Sequence, residues 1–109
     1  MFSKIIPRIL AVTLFMLPAM RSIAAEVQTA ASLYAGHCAQ CHSADRLGAM
    51  GPALLPENLG RLKRDEALGV IRDGRTATQM PAFKDKLSEE QIKQLAELVY
   101  TPLAQVPRW

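Results

Sequence analysis

Cys38-Ala39-Gln40-Cys41-His42 has the form C-x-x-C-H, the attachment signature of a c-type haem. Two residues between the cysteines bring both sulfurs to one side of a helical turn. Each sulfur can there add to one haem vinyl group, and the next residue directs its imidazole at the iron. His42 is therefore the expected proximal ligand, with its second ring N–H held by an acceptor that sets the ring orientation. Three other readings compete. A thioredoxin-type redox pair sits in a βαβ setting, which this chain does not present. A zinc site would have to draw on His37, Cys38, Cys41 and His42, and four ligands so close in sequence cannot easily surround a tetrahedral metal. A Cys38–Cys41 disulfide would close so small a loop that little stabilisation follows.

The segment before the motif sets the compartment. Lys4 and Arg8 precede an apolar run from Ile9 to Leu17, followed by Pro18 and the small residues Ser22-Ile23-Ala24-Ala25. Residues 1–25 read as a secretory signal peptide, cleaved after Ala24 or Ala25. Crossing a hydrocarbon core as a helix takes roughly 18 apolar residues, more than this run provides, so a permanent anchor is the weaker reading. An exported destination also permits oxidised cysteine chemistry.

Charge follows the same division. Of 13 Lys and Arg, Lys4, Arg8 and Arg21 lie in the leader, which holds none of the 10 Asp and Glu. The rest of the chain is balanced, and without a cationic excess it does not suit nucleic acid. At 50% hydrophobic, it is not an acidic disordered chain either.

The mature part sits near the size, roughly 70 to 80 residues, below which a domain needs a staple beyond its core; a covalently held macrocycle would supply one. Helical periodicity dominates and no strand pattern is evident, so the chain reads as all-α, with three main helices. The first is expected from Val27 to Cys38, with Ala30, Leu33, Tyr34, Cys38 and Cys41 on one side. Gly48, Gly51, Pro52, Pro56 and Gly60 then mark a loop. A second helix is expected from Arg64 to Asp73, with Ala67, Leu68 and Ile71 inward and Gly74 as its stop; Lys63 is a poor cap. The third begins with a Ser88/Gln91 capping box and carries the stripe Ile92, Leu95, Ala96 and Val99. Pro102 prevents its continuation, and the tail to Trp109 reads as extended.

In that order of parts the chain resembles a class I cytochrome c over nearly all of residues 26–109. The resemblance implies the class I cytochrome c fold around one covalently attached haem c, bound through Cys38 and Cys41. It also implies a crossing of the first and last helices that sets Ala30 and Tyr34 against Leu95, Ala96 and Val99, and the Pro52 carbonyl as acceptor for His42. Met50 and Met80 remain once the leader is removed. Thr78-Gln79-Met80-Pro81-Ala82-Phe83 resembles the distal-ligand loop of the family, so Met80 is expected as the second axial ligand to iron, with Pro81 stiffening its approach. Met50 beside Gly51-Pro52 falls on the His42 side, and His37 is anchored there by Cys38, with a solvated or lightly hydrogen-bonded side chain expected. A His/Met pair raises the reduction potential relative to bis-His and leaves no open iron position. Such a site carries single electrons and is not an enzyme.

Leu54-Leu55-Pro56-Glu57-Asn58-Leu59, Val70-Ile71-Arg72-Asp73-Gly74-Arg75, Gln79-Met80-Pro81-Ala82-Phe83 and the ending Pro107-Arg108-Trp109 resemble haem c domains of the cytochrome cd1 nitrite reductase group. With no propeller following Trp109, the chain is similar to the small monohaem cytochromes of the c55X family that accompany that reductase. This implies a periplasmic electron donor to cytochrome cd1 nitrite reductase in denitrification, fed by an upstream quinol-oxidising donor. The alternative is an accessory redox or assembly partner in haem d1 biosynthesis or insertion. Arg72, Arg75, Lys84 and Lys86 are candidates for orienting a partner, though Arg72, Asp73 and Arg75 equally suit a solvated helix end and Gln79 a hydrogen bond to its own loop. A labile Met80 bond would open a third possibility, peroxidase or small-gas binding.

Overall fold

Thr29 starts the first helix. Its side chain accepts from the Ser32 N–H at 3.2 Å, a cap that satisfies one of the amides a helix N-terminus leaves free. The computed structural model describes residues 28–105; the leader, Val27 and the Pro107-Arg108-Trp109 ending lie outside them. Helix α1 spans Ala30–His37. It does not run through the C-x-x-C-H motif as one rod. Cys38 adopts φ −118° and ψ −37°, and α2, Ala39–His42, is a separate turn held by His42 N donating to the Cys38 carbonyl at 3.0 Å.

Helix α3 spans Arg64–Asp73, as its periodicity predicts. The missing cap is supplied from inside the helix: the Glu66 carboxylate accepts from the Lys63 backbone N–H at 3.0 Å, the reverse half of a capping box. Helix α4 spans Glu89–Val99 and has both halves. Ser88 N donates to Gln91 Oε1 at 2.9 Å, and Gln91 N to Ser88 Oγ at 3.1 Å.

Both α1 and α3 pack on α4. The core joins Leu33 and Tyr34 of α1 to Ile92, Leu95 and Val99 of α4, with Phe83 and Leu87 from the connection before α4. Leu33 and Ile92 are 1% and 0% exposed, and each such side chain contributes about 1.5–3 kcal/mol when buried. Leu33 takes the place against α4 that the family resemblance assigned to Ala30, which is only half buried. The longer side chain reaches the neighbouring helix and the methyl does not. At the solvent-exposed end of α3 the Arg72 guanidinium meets the Glu89 carboxylate through Nε at 2.9 Å and Nη2 at 2.6 Å, bridging α3 to α4. Among the described residues there is no strand and no helix long and apolar enough to cross a membrane.

Candidate haem site

Two loops build the site, each fastened to a helix end. On the first, α2 stops because Ser43 turns to φ 64° and ψ 158°, a conformation costly for a residue with a Cβ. It is held there by Tyr34, whose buried hydroxyl donates to the Ser43 carbonyl at 2.7 Å. The chain then doubles back: Gly48 N donates to the His42 carbonyl at 3.0 Å and Gly51 N to the Cys41 carbonyl at 2.7 Å. A Cβ on Gly51 would fall 2.6 Å from His42 Cε1 and 2.7 Å from Nδ1, so only glycine lets the backbone lie against the ring. The next carbonyl, of Pro52, accepts from His42 Nδ1–H at 2.7 Å, where the family resemblance put it. That bond assigns the proton to Nδ1 and leaves the Nε2 lone pair free for a metal. His42 is 9% exposed.

The second loop closes the C-terminal end of α3. Helix ends leave their last carbonyls without partners. Here Phe83 N donates to Ile71 and Arg72 carbonyls and Lys84 N to Arg72, each at 3.2 Å. Gly74 permits the fold-back: its φ is +70°, and a Cβ there would lie 2.7 Å from the Met80 oxygen. Arg75 N donates to that same Met80 oxygen at 3.2 Å. Thr78, not Gln79, ties the loop internally, its hydroxyl donating to the Arg75 carbonyl at 2.8 Å and accepting from Met80 N–H at 3.2 Å.

Between the loops lies an apolar cavity of about 290 Å³, lined by Cys38, Cys41, His42 and Met80 among others. The structure thus brings all four sequence-derived site residues to one space. Both cysteines are free thiols. Before attachment, burial pushes the Cys38 thiol up to about 11. His37 and Met50 also reach the cavity. His37 is exposed but not merely solvated: its ring meets Phe83 edge-on, centroids 6.0 Å apart. Met50 is 73% exposed.

A residue that sequence reasoning missed stands behind the first loop. Arg46 is 6% exposed and its guanidinium donates to the carbonyls of Leu98 at 2.7 Å and Thr101 at 2.8 Å. A lone Arg four positions after a motif histidine carries no local signal of burial.

A family profile described as cytochrome C oxidase, cbb3-type, subunit III, matches residues 25–99, and the chain belongs to the class I c-type cytochromes. Within that class it resembles the c55X cytochromes: it is 35% identical over 60 residues to cytochrome c55X of Stutzerimonas stutzeri, covering 55% of this chain and 53% of that protein. It is 45% identical over 78 residues to dihydro-heme d1 dehydrogenase of Pseudomonas aeruginosa, covering 72% of this chain and 16% of that protein. Among solved structures, the c-type cytochrome NirC matches with TM-score 0.60 at 30% identity, covering 64% of this chain and 82% of the other. The chain therefore spans about half of one curated relative and a small part of the other.

Membership makes covalently bound, iron-containing haem c the cofactor. The residues fit it. The cavity walls are largely apolar, two free thiols stand three residues apart beside it, and an imidazole with its Nδ1 proton already engaged faces a thioether-bearing loop.

Proposed function

We propose that this chain is an exported, periplasmic carrier of single electrons, in which residues 1–25 are a cleaved leader and residues 26–109 one cytochrome domain. Cys38 and Cys41 would hold the haem covalently, His42 would be its proximal axial ligand through Nε2, and Met80 its distal ligand through Sδ. Haem c supplies the one-electron ferric/ferrous couple. Pro52 holds the Nδ1 proton and so keeps the imidazole orientation constant through the redox cycle. Gly51 lets the backbone approach that ring, and the Arg75–Met80 loop holds the thioether, a soft ligand that favours ferrous iron. With both axial positions taken by side chains, the site has no place for a substrate. The convergence of Cys38, Cys41, His42 and Met80 on one apolar cavity carries this reading.

The electron acceptor in this proposal is cytochrome cd1 nitrite reductase in denitrification, fed by a quinol-oxidising donor; the likeness to c55X and NirC cytochromes supports it. Rapid mixing of the reduced mature protein with oxidised nitrite reductase tests it: oxidation within the enzyme's turnover time is expected, and no exchange on that timescale overturns it. A second reading is favoured by the 45% identity to a dihydro-heme d1 dehydrogenase. In it the chain is a redox or assembly partner in haem d1 biosynthesis. Cells lacking the protein would then contain nitrite reductase without haem d1, whereas loss of a donor leaves the cofactor in place.

A further inference from the structure

We propose that Arg46 is the positioning residue for the His42 cradle and a permanent buried cation that shifts the iron toward the ferrous state. This rests on the reading of His42 as an iron ligand. Arg46 closes the loop that contains Gly51 and Pro52. Its carbonyl accepts from Leu54 N at 2.9 Å, and its Nη1 donates to the Leu54 carbonyl at 3.4 Å. The loop so closed carries the Pro52 oxygen that holds His42 Nδ1–H. The same guanidinium fixes the loop to the rest of the fold, Nη1 donating to Leu98 and Nη2 to Thr101. Helix α4 has no basic residue in its own last turn, and Arg46 supplies one from across the fold, where the helix end carries partial negative charge.

Arg46 itself adopts φ 63°, a left-handed conformation that is uncommon for a residue with a long side chain. The three carbonyl bonds hold it there. Those acceptors solvate the guanidinium without neutralising it. The ion pairs among the described residues are Arg72–Glu89 and Lys84–Asp73, and the adjacent Asp45 carboxylate is engaged by Ser43 Oγ and Leu47 N. Arg stays protonated at all accessible pH values. A buried full charge is weakly screened, and ferric iron carries one more positive charge than ferrous. Repulsion from Arg46 therefore destabilises the oxidised state more.

The test uses the full haem-loaded protein. Arg46→Met removes charge and hydrogen bonds, Arg46→Gln removes the charge on a polar side chain, and Arg46→Lys keeps the charge without the three-way fork. Met and Gln variants are expected to lose preference for ferrous iron by about tenfold, which lowers the midpoint potential by about 59 mV; the Lys variant holds close to the wild-type potential. Exchange of the His42 Nδ1 proton, followed by NMR in the ferrous state, is expected to quicken in all three. A variant with a lower unfolding midpoint but wild-type potential and Nδ1 exchange shows a merely structural role and overturns the proposal. If neutral variants do not accumulate, the wild type decides: the His42 Nδ1 proton and the Leu54 amide are expected to exchange through one shared opening as denaturant rises, and separate openings overturn the proposal. The sulfur-to-iron charge-transfer band and the low-spin ferric spectrum, read in the same samples, report failure of the ligand assignment separately.

Discussion

His42 Nδ1 lies 2.7 Å from the carbonyl oxygen of Pro52, and the residue between the ring and that carbonyl, Gly51, has no room for a side chain. The imidazole is thus oriented by backbone alone, from a loop whose other amides return to Cys41 and His42. Gly51→Ala places a methyl inside the ring's contact radius and is expected to destabilise the haem-loaded protein by about 1–3 kcal/mol, as overpacking does in tight sites. Urea unfolding measures the loss. A wild-type midpoint with an unchanged ferric spectrum would show that the ring is not held against this backbone.

Gly74→Ala acts on the Met80 loop. Its methyl would meet the Met80 carbonyl at 2.7 Å and the Pro81 carbonyl carbon at 2.7 Å, and a Cβ-bearing residue at φ 70° and ψ −170° costs about 1–3 kcal/mol more. The backbone contacts cannot rotate away, so the Met80 loop must shift. Weakening of the sulfur-to-iron charge-transfer band, with its pH of disappearance lowered, is the expected spectroscopic result; an undisturbed band would count against the fold-back.

On the proposed ligation, Met80→Ala removes the thioether and opens an iron position. The reduced variant is expected to bind carbon monoxide at neutral pH where the wild type does not. Its midpoint potential should fall by on the order of 0.1 V or more, within the roughly 0.8 V range that axial ligands set. Carbon monoxide binding by the wild type would instead mark a labile Met80 and admit gas-binding or peroxidase chemistry.

Tyr34 carries a pH signature. Burial raises its phenol from 10.0 to about 12. Because the folded value lies above the unfolded one, this stabilisation is complete below about pH 10 and is lost as pH rises through about 12. Tyr34→Phe leaves the Ser43 carbonyl without its donor and is expected to cost about 1–3 kcal/mol at neutral pH. Denaturant midpoints across that alkaline window should fall less steeply in Tyr34→Phe than in wild type; Tyr100, raised in the same direction, keeps some slope.

Features that depend on residues three or four apart were readable in advance. The Ser88–Gln91 box, the bounds of α3 and the C-x-x-C-H motif are of this kind, because their partners meet within one helical turn. The stop at Cys38 was expected as well; the separate turn Ala39–His42 that follows it was not. The Glu66 cap was missed because a Lys at the cap position masked the half of the box that is present. Thr78 and Gln79 are neighbours with equal capacity to bond a loop backbone, and only the observed turn selects Thr78.

The haem chemistry and the helical segments were therefore properties of the sequence: a pentapeptide holds two sulfurs and an imidazole close enough to act together whatever surrounds it, and helix caps and stripes are equally local. Tertiary structure decided the rest. It brought the Met80 loop to the cavity that His42 faces, and it buried Arg46 against carbonyls 52 and 55 residues away. Every residue carries a backbone carbonyl, so nothing in the identities of Leu98 or Thr101 could have named them as its partners.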